Sequence, residues 1–360
     1  MGKRLLLLAQ NYRWQGTGLE HSAVRTCRGL EERGHEIHVL CDQGEPHDGV
    51  KVHHGLGNFE SVKSKLAPDL VLDWGFHHAA HIHRMGAGTH EGYLRYYMEA
   101  FHGLHRTFKE FEKWLPKHQR VIQRQKLHLR NPEAWYIANS RMTADLAIEG
   151  GADPRRVDVC HQHVALDEFN PANAKEHRAA MRASWGVSED ETVFLFVAHN
   201  LRLKNYNLLR RVFERGNLGK SKLVVIGKYQ PNHAADWLIY AGKTEEMVVA
   251  YGAADILVHP TFFDSCANVA LEAAGCKLPV IVSTTSGINE ILPDEWSLSV
   301  QGDRAEIISQ WEHEMGQLAS NKELREFRGE QGHKIAQKYG YDEYLDWLEQ
   351  RLDHVALQAQ

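Results

Sequence analysis

The chain has 360 residues, 43% of them hydrophobic, which is enough apolar material for two separate cores. A formal net charge of -5 excludes the overall positive field that drives sequence-independent nucleic-acid binding. The five cysteines are scattered without a CxxC pair, and no export or bilayer-spanning segment is visible. We therefore expect a cytoplasmic protein of two domains with no nucleic-acid partner.

The first half of the chain alternates between strand and helix patterns. Residues 4–9 form an apolar run, residues 15–18 contain a glycine turn, and apolar residues then recur at helical spacing up to Leu30. Gly34 ends this helix and residues 36–41 supply a second strand, which completes a βαβ unit and implies a parallel sheet. Further strands are predicted at residues 70–73, 135–138 and 157–160.

The second half contains another series of strand candidates that are apolar on both faces, as buried parallel strands are. They lie at residues 192–198, 223–227, 255–259 and 279–283. A polar stretch, residues 167–188, separates the two series and indicates a domain boundary. The prediction is an α/β protein with one Rossmann-like domain at 1–170 and a second at 171–339. The last helix, residues 340–360, is expected to pack back on the first domain.

The segment PTFFDSCANVALEAA, residues 260–274, joins a predicted strand to a predicted helix. Free backbone amides at such a turn suit a phosphate group. Asp264 lies in the turn, where it could equally be a simple helix N-cap. Glu272 follows eight residues later among apolar neighbours, so its carboxylate needs hydrogen-bond donors. Two ribose hydroxyls or a structural arginine would both supply them.

The order of strand, Pro260, Asp264, Glu272 and Gly-x-x-x-Pro-Val resembles the EX7E signature of glycosyltransferase family 4, with Asp replacing the first Glu. The resemblance implies the GT-B architecture, in which two Rossmann-like domains with parallel sheets face each other across a cleft. It also implies that Asp264 binds the donor sugar and Glu272 the nucleotide ribose. The amides implied to hold the donor diphosphate are those of Cys266, Ala267, Asn268 and Val269.

A second loop of the family is matched by HNLRLKNYNLLRRVF, residues 199–213, directly after a predicted strand. It carries Arg202 and Lys204, which by residue type alone are ordinary solvated charges. The resemblance implies that both cations neutralise the departing diphosphate. The predicted catalytic residues are therefore Lys204, Arg202 and Asp264.

The amino-terminal loop GTGLEHS, residues 16–22, resembles the Gly-Gly-x-Glu turn of the family, with Thr17 replacing the first Gly. Gly18 would let the backbone approach the donor phosphate closely, although an ordinary loop glycine is the alternative. HIHRMGAGTHEGYL, residues 81–94, resembles the lipopolysaccharide core glucosyltransferases. Several of these relatives have an acidic residue where Ala87 stands here, and His90 is the predicted acceptor-binding residue.

Residues 102–130 mix basic and apolar side chains along predicted helices that break at Pro116. Such a segment could lie on an anionic membrane surface, or it could be a solvated helix pair with one face on the domain. The resemblance favours peripheral contact with the inner face of the cytoplasmic membrane.

Histidines cluster in the same half of the chain, at His77, His78, His81 and His83. A metal site there would need an acidic or thiolate partner with defined geometry. No DxD-like pair follows a strand to hold a diphosphate through a metal. We interpret the cluster as loop and acceptor-cleft histidines and expect neither a metal nor a cofactor.

The functional prediction is a retaining transferase that moves a sugar from a nucleoside diphosphate donor to a hydroxyl of a glycan or glycolipid, such as a lipopolysaccharide core. Two alternatives stay open. One is a GT-B sugar-nucleotide epimerase, which needs no acceptor, and the other is a non-catalytic glycosyltransferase-like binding protein. A dehydrogenase is disfavoured because no GxGxxG follows the first strand.

Overall fold

The computed structural model of the chain describes residues 2–13, 18–47, 49–101 and 103–358. The chain forms two compact units. Unit 1 consists of Met1–Leu94, Glu110–His161 and Asp342–Gln360, and unit 2 of Arg95–Lys109 and Gln162–Tyr341. Residues 162–170, which the sequence analysis places in the first domain, lie in unit 2, because Val164 and Phe169 pack in its hydrophobic core.

Unit 1 is built on a parallel sheet with the strand order β3-β2-β1-β4-β5-β6-β7 among the described residues. Its strands are β1 (Arg4–Tyr12), β2 (Glu36–Gly44), β3 (Val50–His54), β4 (Leu70–Asp73), β5 (Ile82–Met85), β6 (Trp135–Ala138) and β7 (Val157–Val159). The order reverses between β1 and β4. In open parallel sheets, ligands bind outside the carboxyl ends of the strands at such a switch point.

Seven helices of the described chain have residues in unit 1, although α4 lies mostly in unit 2. They are α1 (Gly18–Glu32), α2 (Phe59–Leu66), α3 (His90–Tyr97), α4 (Gly103–Glu112), α5 (Pro116–Leu129), α6 (Arg141–Gly150) and α14 (Tyr341–Gln358). The ends of α6 illustrate how sequence sets the boundaries: the Ser140 side chain accepts from the Thr143 amide, and Gly151 ends the helix at a φ of 116°.

The carboxyl-terminal helix α14 packs within unit 1. Leu345, Leu348 and Leu352 are buried, and the guanidinium of Arg33 lies 2.6 Å from Asp346 and 2.7 Å from Glu349. None of the helices in the described ranges is both long and apolar enough to cross a lipid bilayer.

Unit 2 is built on a second parallel sheet, with the order β10-β9-β8-β11-β12-β13 in the described part of the chain. Its strands are β8 (Thr192–Val197), β9 (Ser221–Ile226), β10 (Leu238–Gly242), β11 (Ile256–His259), β12 (Val280–Ser283) and β13 (Ser297–Leu298). The switch point of this sheet lies between β8 and β11, which pair at Phe194 and Ile256.

The helices of unit 2 begin at polar caps in several cases. They are α7 (Pro171–Glu176), α8 (Arg178–Trp185), α9 (Tyr206–Glu214), α10 (Met247–Ala253), α11 (Asn268–Gly275), α12 (Arg304–Ser320) and α13 (Lys322–Ala336). Side-chain oxygens of Asn170, Asp303 and Asn321 accept from amides in the first turns of α7, α12 and α13. Apolar residues on both faces of the sheet then close two buried clusters.

All nine predicted strands are confirmed, and those at 70–73 and 135–138 have the predicted bounds. The sequence analysis missed β3, β5, β10 and β13. In β5 the cause is chemical, because the fully buried His83 and the nearly buried Arg84 interrupt the apolar pattern that marks a buried strand. In β3 and β10 the residues are largely half-exposed at the sheet edges, so the apolar signal is weak.

Helices α7 and α10 approach so closely that Gly252 has no room for a side chain. A Cβ at position 252 would lie 1.6 Å from the carbonyl oxygen of Ala174. We expect Gly252→Ala to destabilise unit 2 by about 3 kcal/mol, since the backbone of α7 must move. The matched change Gly316→Ala in α12 meets nothing within 4 Å and should raise stability by about 0.5–1 kcal/mol. Urea unfolding of both variants measures the difference, and equal midpoints would contradict this account of the packing.

Candidate functional site

The loops that follow β8 and β11 bring Lys204 and Asp264 together at the switch point of unit 2. The Nζ of Lys204 forms an ion pair with Oδ2 of Asp264. The same carboxylate oxygen lies 3.0 Å from Nε2 of His259, the last residue of β11. Two of the predicted catalytic residues are therefore in contact, across sixty positions of sequence.

The protonation states of this trio follow from burial and charge. Burial raises the pKa of Asp264, but the charge of Lys204 and the hydrogen bond from His259 outweigh it and hold the pKa well below its ordinary value. Burial and the Lys204 charge lower the pKa of His259. A neutral His259 that donates from Nε2 leaves Nδ1 without a proton, and this buried atom has no hydrogen-bond partner in the described part of the chain. Asp264 is thus an ionised carboxylate held by one cation and one imidazole.

The backbone of Asp264 is held as firmly as its side chain. Its amide donates to the carbonyl of Thr285 at 3.2 Å, and its carbonyl accepts from the amide of Gly287 at 2.9 Å. The amide of Phe262 donates to the carbonyl of Leu203 at 2.9 Å, which ties the Asp264 loop to the Lys204 loop. These backbone hydrogen bonds hold the two loops against each other, so that the side chains of Lys204 and Asp264 meet.

Helix α11 begins four residues after Asp264. Ala267 is its N-cap residue, and no side chain caps the helix at that position. The first-turn amides of Asn268 and Val269 therefore lack the usual internal acceptor, which is the arrangement that favours an anion. Cys266 and Ala267, the other two predicted amide contacts, are buried directly before the helix.

Glu272 lies on α11 and accepts a hydrogen bond of 2.7 Å from the hydroxyl of Tyr251 on α10. Burial and the neighbouring Glu272 charge raise the pKa of Tyr251 well above its ordinary value, so its hydroxyl stays protonated and donates. Tyr251 was missed by the sequence analysis, as was the role of His259. The sequence did contain a signal for His259, since a polar residue at the carboxyl end of a buried strand is a candidate site residue.

The remaining predicted residues, Arg202 in unit 2 and Gly18 and His90 in unit 1, have other surroundings. The guanidinium of Arg202 is exposed and stacks on Phe101, 4.8 Å from the ring centroid. Gly18 is the first residue of α1, while Gly16 and Thr17 lie outside the described residues. His90 begins α3, and its Nε2 lies 2.8 Å from Nδ1 of His118.

The four clustered histidines of unit 1 are directed to four different environments. His77 contacts Asp73 at 2.8 Å, His78 donates to the carbonyl of Leu56, and His81 accepts from the amide of Val71. Within the described ranges, no group of three or more His, Cys, Asp or Glu side chains is arranged to hold a metal ion.

His83 is the fourth member, and it is fully buried between two aromatic rings. Its centroid lies 5.0 Å from that of Phe76 and 5.7 Å from that of Tyr136, both nearly parallel. Neither ring nitrogen of His83 has a hydrogen-bond partner among the residues that the structure describes. Burial lowers the pKa of His83 to about 4, so the ring is neutral at pH 7.

The segment that carries this site is similar to known proteins. Residues 191–313 match the family Glycosyl transferases group 1. A D-inositol 3-phosphate glycosyltransferase of Mycobacteroides abscessus is 30% identical over 205 residues, covering 52% of this chain and 44% of the relative. The chain thus spans less than half the length of the curated relatives it matches.

Solved structures show the fold over nearly the whole chain. WaaG, a glycosyltransferase involved in lipopolysaccharide biosynthesis, has a TM-score of 0.76 at 13% identity, covering 98% of this chain and 99% of WaaG. Sucrose-phosphate synthase from Thermosynechococcus elongatus has a TM-score of 0.80 at 14% identity, covering 99% and 100%. Anabaena HepE in complex with UDP and glucose has a TM-score of 0.74 at 12% identity, covering 98% and 100%. The predicted GT-B fold, two Rossmann-like units with parallel sheets, is confirmed.

The buried neutral His83 predicts a specific pH dependence of stability. Its pKa is lower in the folded than in the unfolded chain, so the unfolded chain takes up the proton first and stability falls as the pH drops from about 6.5 towards 4. Between pH 7.5 and 5 we expect His83 to account for about 2 kcal/mol of this loss. His83→Phe, which keeps the ring stack, should reduce the loss measured by urea unfolding at both pH values. The exposed His54→Ala serves as control, and an unchanged pH dependence in His83→Phe would contradict the prediction.

Proposed function

We propose that the protein, whose residues 191–313 match the family Glycosyl transferases group 1, transfers a sugar from a nucleoside diphosphate sugar to a hydroxyl of a glycan or glycolipid, with retained anomeric configuration. The observation that carries this proposal is the ion pair of Lys204 with Asp264, four residues before the uncapped start of α11. The curated relatives are named as glycosyltransferases, and HepE was solved with UDP and glucose. Both support a nucleotide-sugar donor.

Lys204 is suited to the charge that develops on the leaving group. As the bond between the anomeric carbon and the diphosphate oxygen breaks, an electron pair stays on the diphosphate, and the ammonium group of Lys204 and the α11 amides stabilise it. The acceptor oxygen then bonds to the same face of the sugar, and its proton passes to the released diphosphate. No metal is needed in this scheme.

Asp264 and Glu272 are suited to neutral hydroxyl groups. Both are ionisable acceptors that their protein contacts hold in place, Asp264 through Lys204 and His259 and Glu272 through Tyr251. A carboxylate accepts from two sugar hydroxyls without competing for the phosphate. We assign Asp264 to the transferred sugar and Glu272 to the ribose.

Replacing Lys204 tests the proposed role in catalysis. With UDP-glucose as donor, Lys204→Gln should lower kcat about a hundredfold or more, the usual loss when a group that stabilises transition-state charge is removed. The matched control is Lys220→Ala, since Lys220 is exposed and pairs with Asp190. UDP release measures turnover, and mass spectrometry distinguishes a glycoside from an epimerised nucleotide sugar. Folded Lys204→Gln with the parent kcat would remove Lys204 from the reaction.

Thermal stabilisation by the nucleotide sugar tests binding separately. A ligand at a hundred times its Kd stabilises the native state by about 2.7 kcal/mol, so UDP-glucose should raise the Tm of the parent. Glu272→Gln should reduce this shift by weakening the ribose contact. UDP-, ADP- and GDP-linked sugars in parallel identify the base, and a Glu272→Gln shift equal to that of the parent would refute the ribose assignment.

Peripheral contact with an anionic membrane is the second part of the proposal. Helix α4 has no buried residue, and one of its faces carries Leu104, Phe108 and Phe111, which are 79%, 70% and 68% exposed. The spacings of four and three residues place these side chains on one side of the helix. Lys113 is exposed directly after it, and Lys117 and Arg120 are exposed in the first turns of α5. This combination of apolar face and neighbouring cations is typical of helices that lie in a membrane interface.

The membrane proposal predicts that apolar and charged residues both contribute. The double variant Phe108→Ser, Phe111→Ser should weaken binding to vesicles of equal parts phosphatidylglycerol and phosphatidylcholine by at least about tenfold, because less apolar area enters the bilayer. Charge reversal at Lys117 and Arg120 should weaken the same binding and abolish its salt dependence. Vesicle flotation with pure phosphatidylcholine as control measures both. Binding that survives in the double variant would place the contact elsewhere.

A further inference from the structure

We infer that three arginines of unit 2, Arg210, Arg211 and Arg304, form a binding site for a phosphate group. These residues, the arginine triad, lie on two neighbouring helices, α9 and α12. None of them is assigned to the proposed sugar transfer, so phosphate binding at the triad is independent of that function.

Helices α9 and α12 pack side by side, since both contribute residues to one buried cluster of unit 2. The guanidinium of Arg215, at the end of α9, lies 2.7 Å from the carboxylate of Glu312 on α12. Arg211 precedes Arg215 by about one turn of α9, and Arg304 precedes Glu312 by about two turns of α12. Burial and then the charges of Arg211 and Arg210 lower the pKa of Arg304, which is the effect expected of three neighbouring guanidinium groups.

The triad has little negative charge to balance it. In the described part of the chain, the side chains of Arg211 and Arg304 have no hydrogen bond and no ion pair. Arg210 has one loose pair, in which Nη1 lies 3.7 Å from a carboxylate oxygen of the exposed Glu214. Exposed pairs of this kind contribute little to stability.

Two carboxylates at the start of α12 are engaged elsewhere. Asp303 is the N-cap residue and accepts from the amides of Ala305 and Glu306 at 3.0 Å each. The side chain of Glu306 accepts from that of Gln310 at 3.1 Å. Among the described residues, neither carboxylate forms an ion pair with the triad, so three cations share one weakly held counter-charge.

Other arginines of unit 2 have the partners that a structural role requires. Arg178 lies 2.8 Å from Asp255, and Arg328 forms an ion pair with Glu314. Like charges without such partners repel one another and lower the stability of the fold. A surface arrangement that costs stability is typical of a functional site.

A ligand can reach the terminal nitrogens of the triad. Arg304 is exposed, and Arg210 and Arg211 are half-buried. The Nε atoms of Arg210 and Arg211 are buried, so the ligand contacts are assigned to the Nη atoms. A half-buried stem loses less freedom on binding than a fully exposed one, which favours binding.

The number and type of these cations select a phosphate group. Each guanidinium presents a planar fork of N–H donors that matches two oxygens of a phosphate. A phosphate monoester carries about two negative charges at pH 7, more than a single carboxylate. Three cations on a chain of net charge -5 suit one such group and not a polyanion. The group belongs to a soluble phosphate ester or to a lipid headgroup, which vesicle binding distinguishes.

Nuclear magnetic resonance detects phosphate at the triad. In the full chain labelled with ¹⁵N-arginine, the Nε–H signals of Arg211 and Arg304, assigned from Arg211→Gln and Arg304→Gln, should shift with inorganic phosphate and not with chloride at equal ionic strength. Either substitution should weaken phosphate binding, measured at the remaining signal, by about tenfold or more, because a charge-assisted hydrogen bond is lost. Lys204→Gln should keep the shifts, which separates the triad from the proposed donor site. No phosphate-specific shift, or shifts that Lys204→Gln removes, would overturn the inference.

Thermal unfolding without phosphate distinguishes a ligand site from a structural one. The matched control for Arg304→Gln is Lys322→Gln, because Lys322 also begins a helix after a side-chain N-cap but pairs with Glu326 at 3.7 Å. Loss of Arg304 relieves repulsion, so Arg304→Gln should have a Tm at least as high as the control. Phosphate should then raise the Tm of the control by more, since the control keeps the site. A lower Tm of Arg304→Gln without phosphate would assign Arg304 to the fold and contradict the site.

Vesicle flotation identifies the source of the phosphate group. If it is a lipid headgroup, Arg304→Gln should bind vesicles of equal parts phosphatidic acid and phosphatidylcholine less than Lys322→Gln does. Equal flotation of the two variants, together with the phosphate-specific shift, assigns the site to a soluble phosphate ester. Both results support the phosphate site, whereas equal flotation without the shift removes it.

Discussion

The ion pair between Lys204 and Asp264 is the contact on which the candidate site of unit 2 depends. It joins the loops after two adjacent parallel strands, β8 and β11, at the point where the strand order of unit 2 reverses. His259 adds a hydrogen bond from the end of β11 to the same carboxylate oxygen. An unpaired carboxylate at this depth would be costly or protonated, so the cation and the imidazole keep Asp264 charged and in position. Helix α11, which no side chain caps at Ala267, begins four residues after Asp264.

Unit 1 contains a similar contact between a carboxylate and an imidazole. Asp73 also ends a central strand at a switch point and also holds an imidazole, that of His77. Its other partners are backbone amides, whereas Asp264 contacts a lysine. Asp264 therefore lies beside a cation, whereas the Asp73 carboxylate holds the backbone of its own loop.

Helix α4 differs from the other elements because its apolar face is not buried in the described structure. Leu104, Phe108 and Phe111 are each more than two-thirds exposed, while residues at the same spacing in α9 are buried in the core of unit 2. An amphipathic helix is stabilised mainly by what covers its apolar side. A lipid surface would provide that cover, and the cations that follow α4 suit an anionic one.

The sequence by itself determined the fold class and the order of the site motifs. Continuous apolar runs predict buried parallel strands, since burial on both faces leaves a signal in consecutive residues. Asp264, Glu272 and the helix start could be predicted as one motif because they lie within a single turn and helix. The strand β5 could not, because buried His83 and Arg84 conceal it.

Only the tertiary structure decided which side chains meet. Lys204 contacts Asp264, whereas Arg202, two positions earlier, stacks on Phe101. Glu272 accepts from Tyr251, and the imidazole of His77 lies at hydrogen-bond distance from the Asp73 side chain. Hydrophobic periodicity records whether a residue is buried, but a side chain's partner depends on strand order and loop path. Those are properties of the whole sheet, and no local stretch of sequence contains them.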